Sequence, residues 1–167
     1  MRDTLPLLDK IPFPALRRGA LDTLQINVGY RCNQTCFHCH VNAGPTRTEE
    51  MAAGIAELAL DFIKRRGIKT LDITGGAPEL NANFRRLVTG ARALGVTVMD
   101  RCNLTILEQP GQEDLAAFLA ANGVEVVASL PCYSLKNVEA QRGKGVFDAS
   151  IRVSRRSMPS AMAAIPR

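Results

Sequence analysis

The sequence predicts an α/β fold built on a parallel sheet, a partial (β/α) barrel of about four strand-helix units. Three observations predict it. Short β-branched runs alternate with longer segments whose apolar residues recur at helical spacing. Glycines mark the ends of those helical segments. Each strand also runs directly into a loop carrying Cys, Gly, Asn or Tyr side chains. Repeated strand-helix units call for right-handed crossovers, and these gather the loops that follow the strands at one end of the sheet.

The first strand covers residues 23–28 (TLQINV), and a cysteine-rich loop follows it. Thr46 and Glu49 have capping-box spacing, so the next helix is expected to start there and to present Met51, Ile55, Leu58 and Phe62 before Gly67 stops it. Residues 70–74 (TLDIT) form the second strand and Gly75-Gly76 a turn. Phe84, Leu87, Val88, Ala91 and Leu94 then give the apolar face of a helix ending at Gly95. Residues 96–100 (VTVMD) form the third strand. The helix after it carries Leu115, Phe118 and Leu119 and closes at Asn122-Gly123. A fourth strand, residues 124–130 (VEVVASL), leads through Pro131 and Cys132 to a last helical stretch with Val146, Phe147 and Ile151.

Size and composition narrow the function. The 167 residues, 46% of them hydrophobic, suffice for one core and one domain. Two His, no Trp and 5% aromatic residues argue against a stacking platform for single-stranded nucleic acid. The net charge of +5 is spread over pairs such as Arg65-Arg66 and Arg85-Arg86, as on solvated helix faces. Pro6, Asp9, Lys10 and Pro12 interrupt the N-terminus as a signal peptide, and no run of apolar residues approaches a membrane span. These features lead to the expectation of a cytoplasmic protein with neither nucleic-acid nor membrane partners. In a reducing compartment five cysteines are not a disulfide framework, and the clustering of Cys32, Cys36 and Cys39 points to a metal.

The cluster reads Cys32-Asn33-Gln34-Thr35-Cys36-Phe37-His38-Cys39, a C-x3-C-x2-C spacing. Thiolates ligate iron-sulfur clusters, and a full protein cage uses four of them. Three leave one iron open, as a catalytic rather than a structural centre requires. A Cys3His zinc site formed with His40 is the alternative; otherwise His38 and His40 read as packing groups beside the ligands.

The motif, set after the first strand of a βα repeat, resembles the radical S-adenosylmethionine (SAM) superfamily. That resemblance implies a partial (β/α) barrel of the radical SAM type. Its cofactors would be a 4Fe-4S cluster on Cys32, Cys36 and Cys39 and SAM chelated at the open iron, with one-electron cleavage to a 5'-deoxyadenosyl radical. Gly75-Gly76-Ala77-Pro78-Glu79 looks like a variant of the superfamily's Gly-Gly-Glu turn, with the acid two positions late. Gly75, Gly76 and Glu79 are accordingly the expected SAM contacts.

Four ordered blocks, LQINVGYRCNQTCFHCHVNAGPTRTEEM, DITGGAPELN, MDRCNLTIL and ASLPCYSLKNVEAQRGKGVF, are together similar to the arsenosugar-biosynthesis radical SAM enzymes. This narrower resemblance implies adenosyl transfer to trivalent dimethylarsenic, with a reductase or flavodoxin-type electron donor. Trivalent arsenic is soft, so Cys102 and Cys132 are candidate substrate thiolates; the alternative is that both are buried small hydrophobes.

The domain reading that follows is an N-terminal extension over residues 1–22, a partial radical SAM domain over 23–151 and an irregular tail over 152–167. In the tail, RVSRRSMPSAMAAIPR, helical periodicity fades and Pro159 and Pro166 intervene. Four strands do not close a barrel, and the superfamily generally uses about six βα units. The expectation is a truncated or frame-shifted chain whose tail is foreign to the family.

Overall fold

The structure, a computed structural model, describes residues 17–162 together with Asp3 and Pro6, with side chains described through Arg156. Most of the N-terminal extension therefore lies outside the described residues. Four strands form one parallel sheet in the order β1-β2-β3-β4, with β1 Thr23–Asn27, β2 Thr70–Thr74, β3 Thr97–Asp100 and β4 Glu125–Val126. The helices between them are α1 Ala53–Arg66, α2 Phe84–Ala93 and α3 Leu115–Ala121. Two more, α4 Leu135–Arg142 and α5 Val146–Met162, follow β4. The alternation of strand and helix in the sequence is thus borne out as an α/β fold. Among the described residues no helix is long and apolar enough to cross a membrane.

Side chains alternate across each strand, which divides the sheet into two unlike faces. Ile26, Leu71, Ile73 and Val98 point one way and pack with Ala56, Leu60, Ile63, Phe84, Leu87 and Val88 into the core. The other face carries Gln25, Asp72 and, just past β3, Arg101. Arg101 grips Asp72 through Nε to Oδ1 at 2.8 Å and Nη2 to Oδ2 at 2.8 Å, while Gln25 Nε2 donates to Asp72 Oδ2 at 2.7 Å. Helices cover the apolar face, whereas the opposite face is polar, with Gln25 exposed and Thr70, Thr74, Thr97 and Met99 half-buried.

Several local expectations need correction. The helix after the cysteine loop does not begin at a Thr46–Glu49 capping box. Residues 49–51 are used as extended backbone instead, with Tyr30 N–H bonded to Glu49 O and Met51 N–H to Val28 O, both at 2.9 Å. Arg47 takes the Glu49 carboxylate and holds it down at about 2, and α1 starts at Ala53. Its buried face is Ala56, Leu60 and Ile63, leaving Ile55 and Leu58 exposed, because Gly90 on α2 offers the Leu60 side chain space that any Cβ would fill. The stop at Gly67 holds: its φ of 63° is left-handed and its N–H caps Ile63 O.

The fourth strand is Glu125–Val126 rather than residues 124–130. Beyond it Val127 N–H still bonds Asp100 O and Ser129 N–H bonds Cys102 O, but the chain leaves the ladder to form a cavity wall. The tail is not irregular from residue 152. The last helix continues to Met162, with Val153 buried and Arg152 Nη2 bonded to Glu108 Oε2 at 2.8 Å, so packing sustains it where sequence periodicity fades. Residues 163–167, with Pro166, lie outside the described residues.

Candidate active site

The loop after β1 carries Cys32, Cys36 and Cys39, and all three border one cavity of about 460 Å³ at the C-terminal ends of the strands. That volume lies within the range of small-molecule and cofactor sites. Gly75 and Gly76 after β2 line it as well, as do Arg101, Asn103, Ser129 and Arg142. Loops from all four strands thus meet at one end of the sheet, as the repeat predicts.

Two glycines let the loops approach. Gly76 N–H donates to Gly29 O and Ala77 N–H to Arg31 O, each at 2.9 Å, which stitches the turn after β2 to the cysteine loop. A Cβ at Gly76 would strike Arg31 O and the Ala43 side chain. Gly75 has a φ of 155°, and a Cβ there would lie 2.8 Å from Gly29 O.

Polar side chains set the cysteine loop from the β3 side. Asn103 Nδ2 donates to Asn33 Oδ1 at 2.7 Å, Asn33 Nδ2 to Thr105 Oγ1 at 3.0 Å, and Gln34 Nε2 to the same hydroxyl at 2.7 Å. From the other side, Phe37 N–H bonds Gln141 O on α4 at 2.8 Å. Arg142 ends that helix, buried, with both terminal nitrogens on Ser129 and its charge near Cys36. Asn103, Thr105, Ser129 and Arg142 were not singled out from the sequence, since polar side chains of these types occur in most loops. A signal exists only in their positions after β3 and β4.

The sulfurs sit in unlike surroundings. Burial raises the Cys32 thiol above its ordinary value, the Gln34 N–H opposes this, and the neighbouring Cys36 raises it again. Burial also raises Cys36, with Arg142 opposing. Cys39 Sγ accepts the Ala43 N–H at 3.2 Å. All five cysteines are free. Among the described residues, Glu79, Asp100 and Cys102 are the group of ligating side chains whose atoms come within 4.8 Å of one another, so Cys32, Cys36, Cys39 and His40 do not close on a single ion. Three thiols bordering one cavity are the donor chemistry of an iron-sulfur cluster with one open iron, and the residues present fit it.

Other expected site residues lie elsewhere. Glu79 sits in a 3-10 turn, Pro78–Leu80, that turns its side chain into the interior, where burial raises its carboxyl. It does not line the cavity. Cys102 is fully buried, its thiol pushed well up by burial and by Glu79 and Asp100, and it too is off the cavity. The acid arrives late in the turn and Cys102 follows a buried Asp100, so both join the core side of the sheet. Cys132 is half-buried beside cavity-lining Pro131, its thiol drawn down by the Ser134 N–H and by Asn137 Nδ2 at 3.4 Å.

The Arg101–Asp72 pair makes a pH prediction. Arg101 holds the Asp72 carboxyl below its ordinary value against a smaller opposing effect of burial. A depressed carboxyl stabilises the fold above its unfolded pKa of about 3.9 and loses that contribution as pH falls through the folded value. Arg101 is half exposed, so the contribution should be at most about 1 kcal/mol. Thermal melts of wild type and Asp72→Asn should differ at pH 7, and the gap should narrow progressively as pH falls below about 4. A gap that does not narrow on acidification would remove the ion pair as its cause.

The Radical SAM superfamily model matches residues 26–155. The mycofactocin maturase MftC of Mycolicibacterium smegmatis is 32% identical over 124 residues, which are 74% of this chain and 31% of that protein. In fold, the chain is similar to Streptococcus suis SuiB bound to precursor peptide SuiA, with a TM-score of 0.68, 20% identity, and coverage of 84% of this chain and 31% of that one. It is also similar to anSMEcpe with bound AdoMet, with a TM-score of 0.68, 18% identity, and coverage of 86% and 42%. The chain spans about a third of the length of the curated maturase it matches. A match over most of the chain, on a parallel sheet whose first loop brings three cysteines to the strand ends, has one consequence: this protein belongs to the radical SAM superfamily.

Proposed function

We propose that the chain holds a 4Fe-4S cluster through Cys32, Cys36 and Cys39, binds SAM across Gly75 and Gly76, and serves an enzyme that transfers the adenosyl group to trivalent dimethylarsenic. One observation carries the cofactor part: all three cysteines and both glycines border a single cavity of cofactor size. When bound, the cluster supplies the electron that cleaves SAM reductively, delivered by a reductase or flavodoxin-type donor. The chain's own residues bind and orient. Gly75 and Gly76 line the cavity, and Arg142, bonded to the neutral Ser129, gives it positive charge suited to a carboxylate.

Support for the arsenical comes from the four sequence blocks and from Cys132. Its thiol is lowered and stands beside a cavity-lining residue, and thiolates suit soft arsenic. Buried Cys102 has no such access and is left out of this role. A second reading, a peptide substrate, is favoured by likeness to a maturase and to a structure holding a precursor peptide.

Anaerobic reconstitution with iron and sulfide, then dithionite, SAM and dimethylarsenite, tests the reading. The expected product is an arsenic-adenosyl adduct seen by mass spectrometry, at least tenfold reduced in Cys132→Ala. Release of 5'-deoxyadenosine with no adduct would reject the arsenical and favour the peptide reading. No 5'-deoxyadenosine from a fully loaded chain would reject the cofactor reading for this length of protein.

A further inference from the structure

We propose a second metal site, separate from the cysteine loop, in which Glu79, Asp100 and Cys102 bind one divalent cation of the zinc class. The three come from different places in the chain. Glu79 lies in the 3-10 turn after β2, Asp100 ends β3, and Cys102 follows it. Their ligand atoms all lie within 4.8 Å of one another. Asp100 and Cys102 are 0% exposed and Glu79 is 5% exposed. The site is on the core side of the sheet, away from the cavity, since strand alternation puts Asp100 with Val98 and opposite Met99.

The independent pointer to a ligand is the state of the carboxylates. All four carboxylate oxygens of Glu79 and Asp100 are buried with no backbone, amide or hydroxyl donor on them, and the groups that interact with them are each other and the Cys102 thiol. Nearby cations are engaged elsewhere: Arg101 holds Asp72 and Arg142 holds Ser129. Gln112 Nε2 reaches only the Glu79 backbone oxygen, at 3.4 Å. Buried polar groups are normally paired, and an ionised carboxylate without a partner costs several kcal/mol. One proton shared between the carboxyls, with the thiol donating to them, would still leave oxygens unsatisfied.

A divalent cation resolves this. Two carboxylates and a thiolate carry three negative charges, and the ion returns two. A mixed oxygen and sulfur set selects a borderline ion such as Zn2+, which binds carboxylate at about 2.0–2.2 Å and thiolate at about 2.3 Å. Mg2+ and Ca2+ would reject the sulfur. None of the three residues lines the cavity, and one carboxylate binding through both oxygens completes four donors, so the ion's role is structural: it ties the turn after β2 to the end of β3, the two segments that deliver Gly76 and Asn103 to the active site.

The test is metal content of the whole chain, reconstituted with iron and sulfide in the presence of zinc and then dialysed against a weak chelator. Wild type should retain about one zinc beside the four irons. Asp100→Asn and Cys102→Ser should each lose the zinc at least tenfold while keeping the iron and its visible absorbance. In a Cys32→Ala/Cys36→Ala/Cys39→Ala background, Co2+ should give a near-ultraviolet thiolate-to-cobalt band that Cys102→Ser removes. Zinc absent from wild type, or kept unchanged in both single variants, overturns the proposal. Because iron and zinc are read separately, failure here is distinct from failure of the cluster reading.

Discussion

Replacing any one of Cys32, Cys36 or Cys39 by alanine is expected to reduce iron after reconstitution to near background and to abolish 5'-deoxyadenosine release. In the proposed centre the three thiols are the protein ligands that the loop offers, with none to spare. Burial and mutual repulsion already hold Cys32 and Cys36 in the thiol form, so the binding energy of iron must drive their ionisation. Two remaining ligands supply too little. His40→Ala separates this centre from a Cys3His zinc site. The cluster reading expects iron and sulfide to be unchanged, whereas a zinc knuckle would lose its metal with the histidine.

The second large effect is expected at Gly76. In Gly76→Ala the new methyl would overlap the Arg31 carbonyl oxygen, with the Arg31 carbonyl carbon at 2.8 Å and Ala43 Cβ at 3.0 Å. These neighbours are loop backbone one residue from Cys32, and the same backbone accepts the Ala77 N–H. Relief must therefore displace a cluster ligand or break the stitch between the loops. Overpacking of this kind typically costs about 1–3 kcal/mol. The fall in melting temperature should be accompanied by at least tenfold weaker SAM binding in the reconstituted protein. Gly54→Ala is the control. It lies in α1 with nothing within 4 Å of the added Cβ, and should be neutral or stabilising by up to about 1 kcal/mol. Equal losses in the two variants would remove the close approach as the cause.

Much of the frame was legible because it rests on local pattern. Residues 70–74 and the face Phe84, Leu87, Val88 and Ala91 follow from periodicity, and the structure buries those four completely, whereas Leu94, expected on the same face, caps the helix and is exposed. The α1 face was misplaced since Ala56 and Leu60 compete with the larger Ile55 and Leu58, and only Gly90 across the helix pair decides between them. The capping-box spacing at Thr46 and Glu49 failed for a similar reason: pairing of residues 49–51 with the segment after β1 outweighed a local helix start.

The sequence by itself determined the repeating strand-helix order, the three-cysteine loop and the place of that loop after the first strand. Each is written in neighbouring residues, where spacing alone states the chemistry. Only the tertiary structure decided which distant groups share a space. It brought Asn103, Arg142 and Gly76 to the cysteines and turned Glu79 and Cys102 away from them into a buried cluster with Asp100. The physical reason is that a strand sends alternate side chains to opposite faces, so one residue of register separates cavity from core.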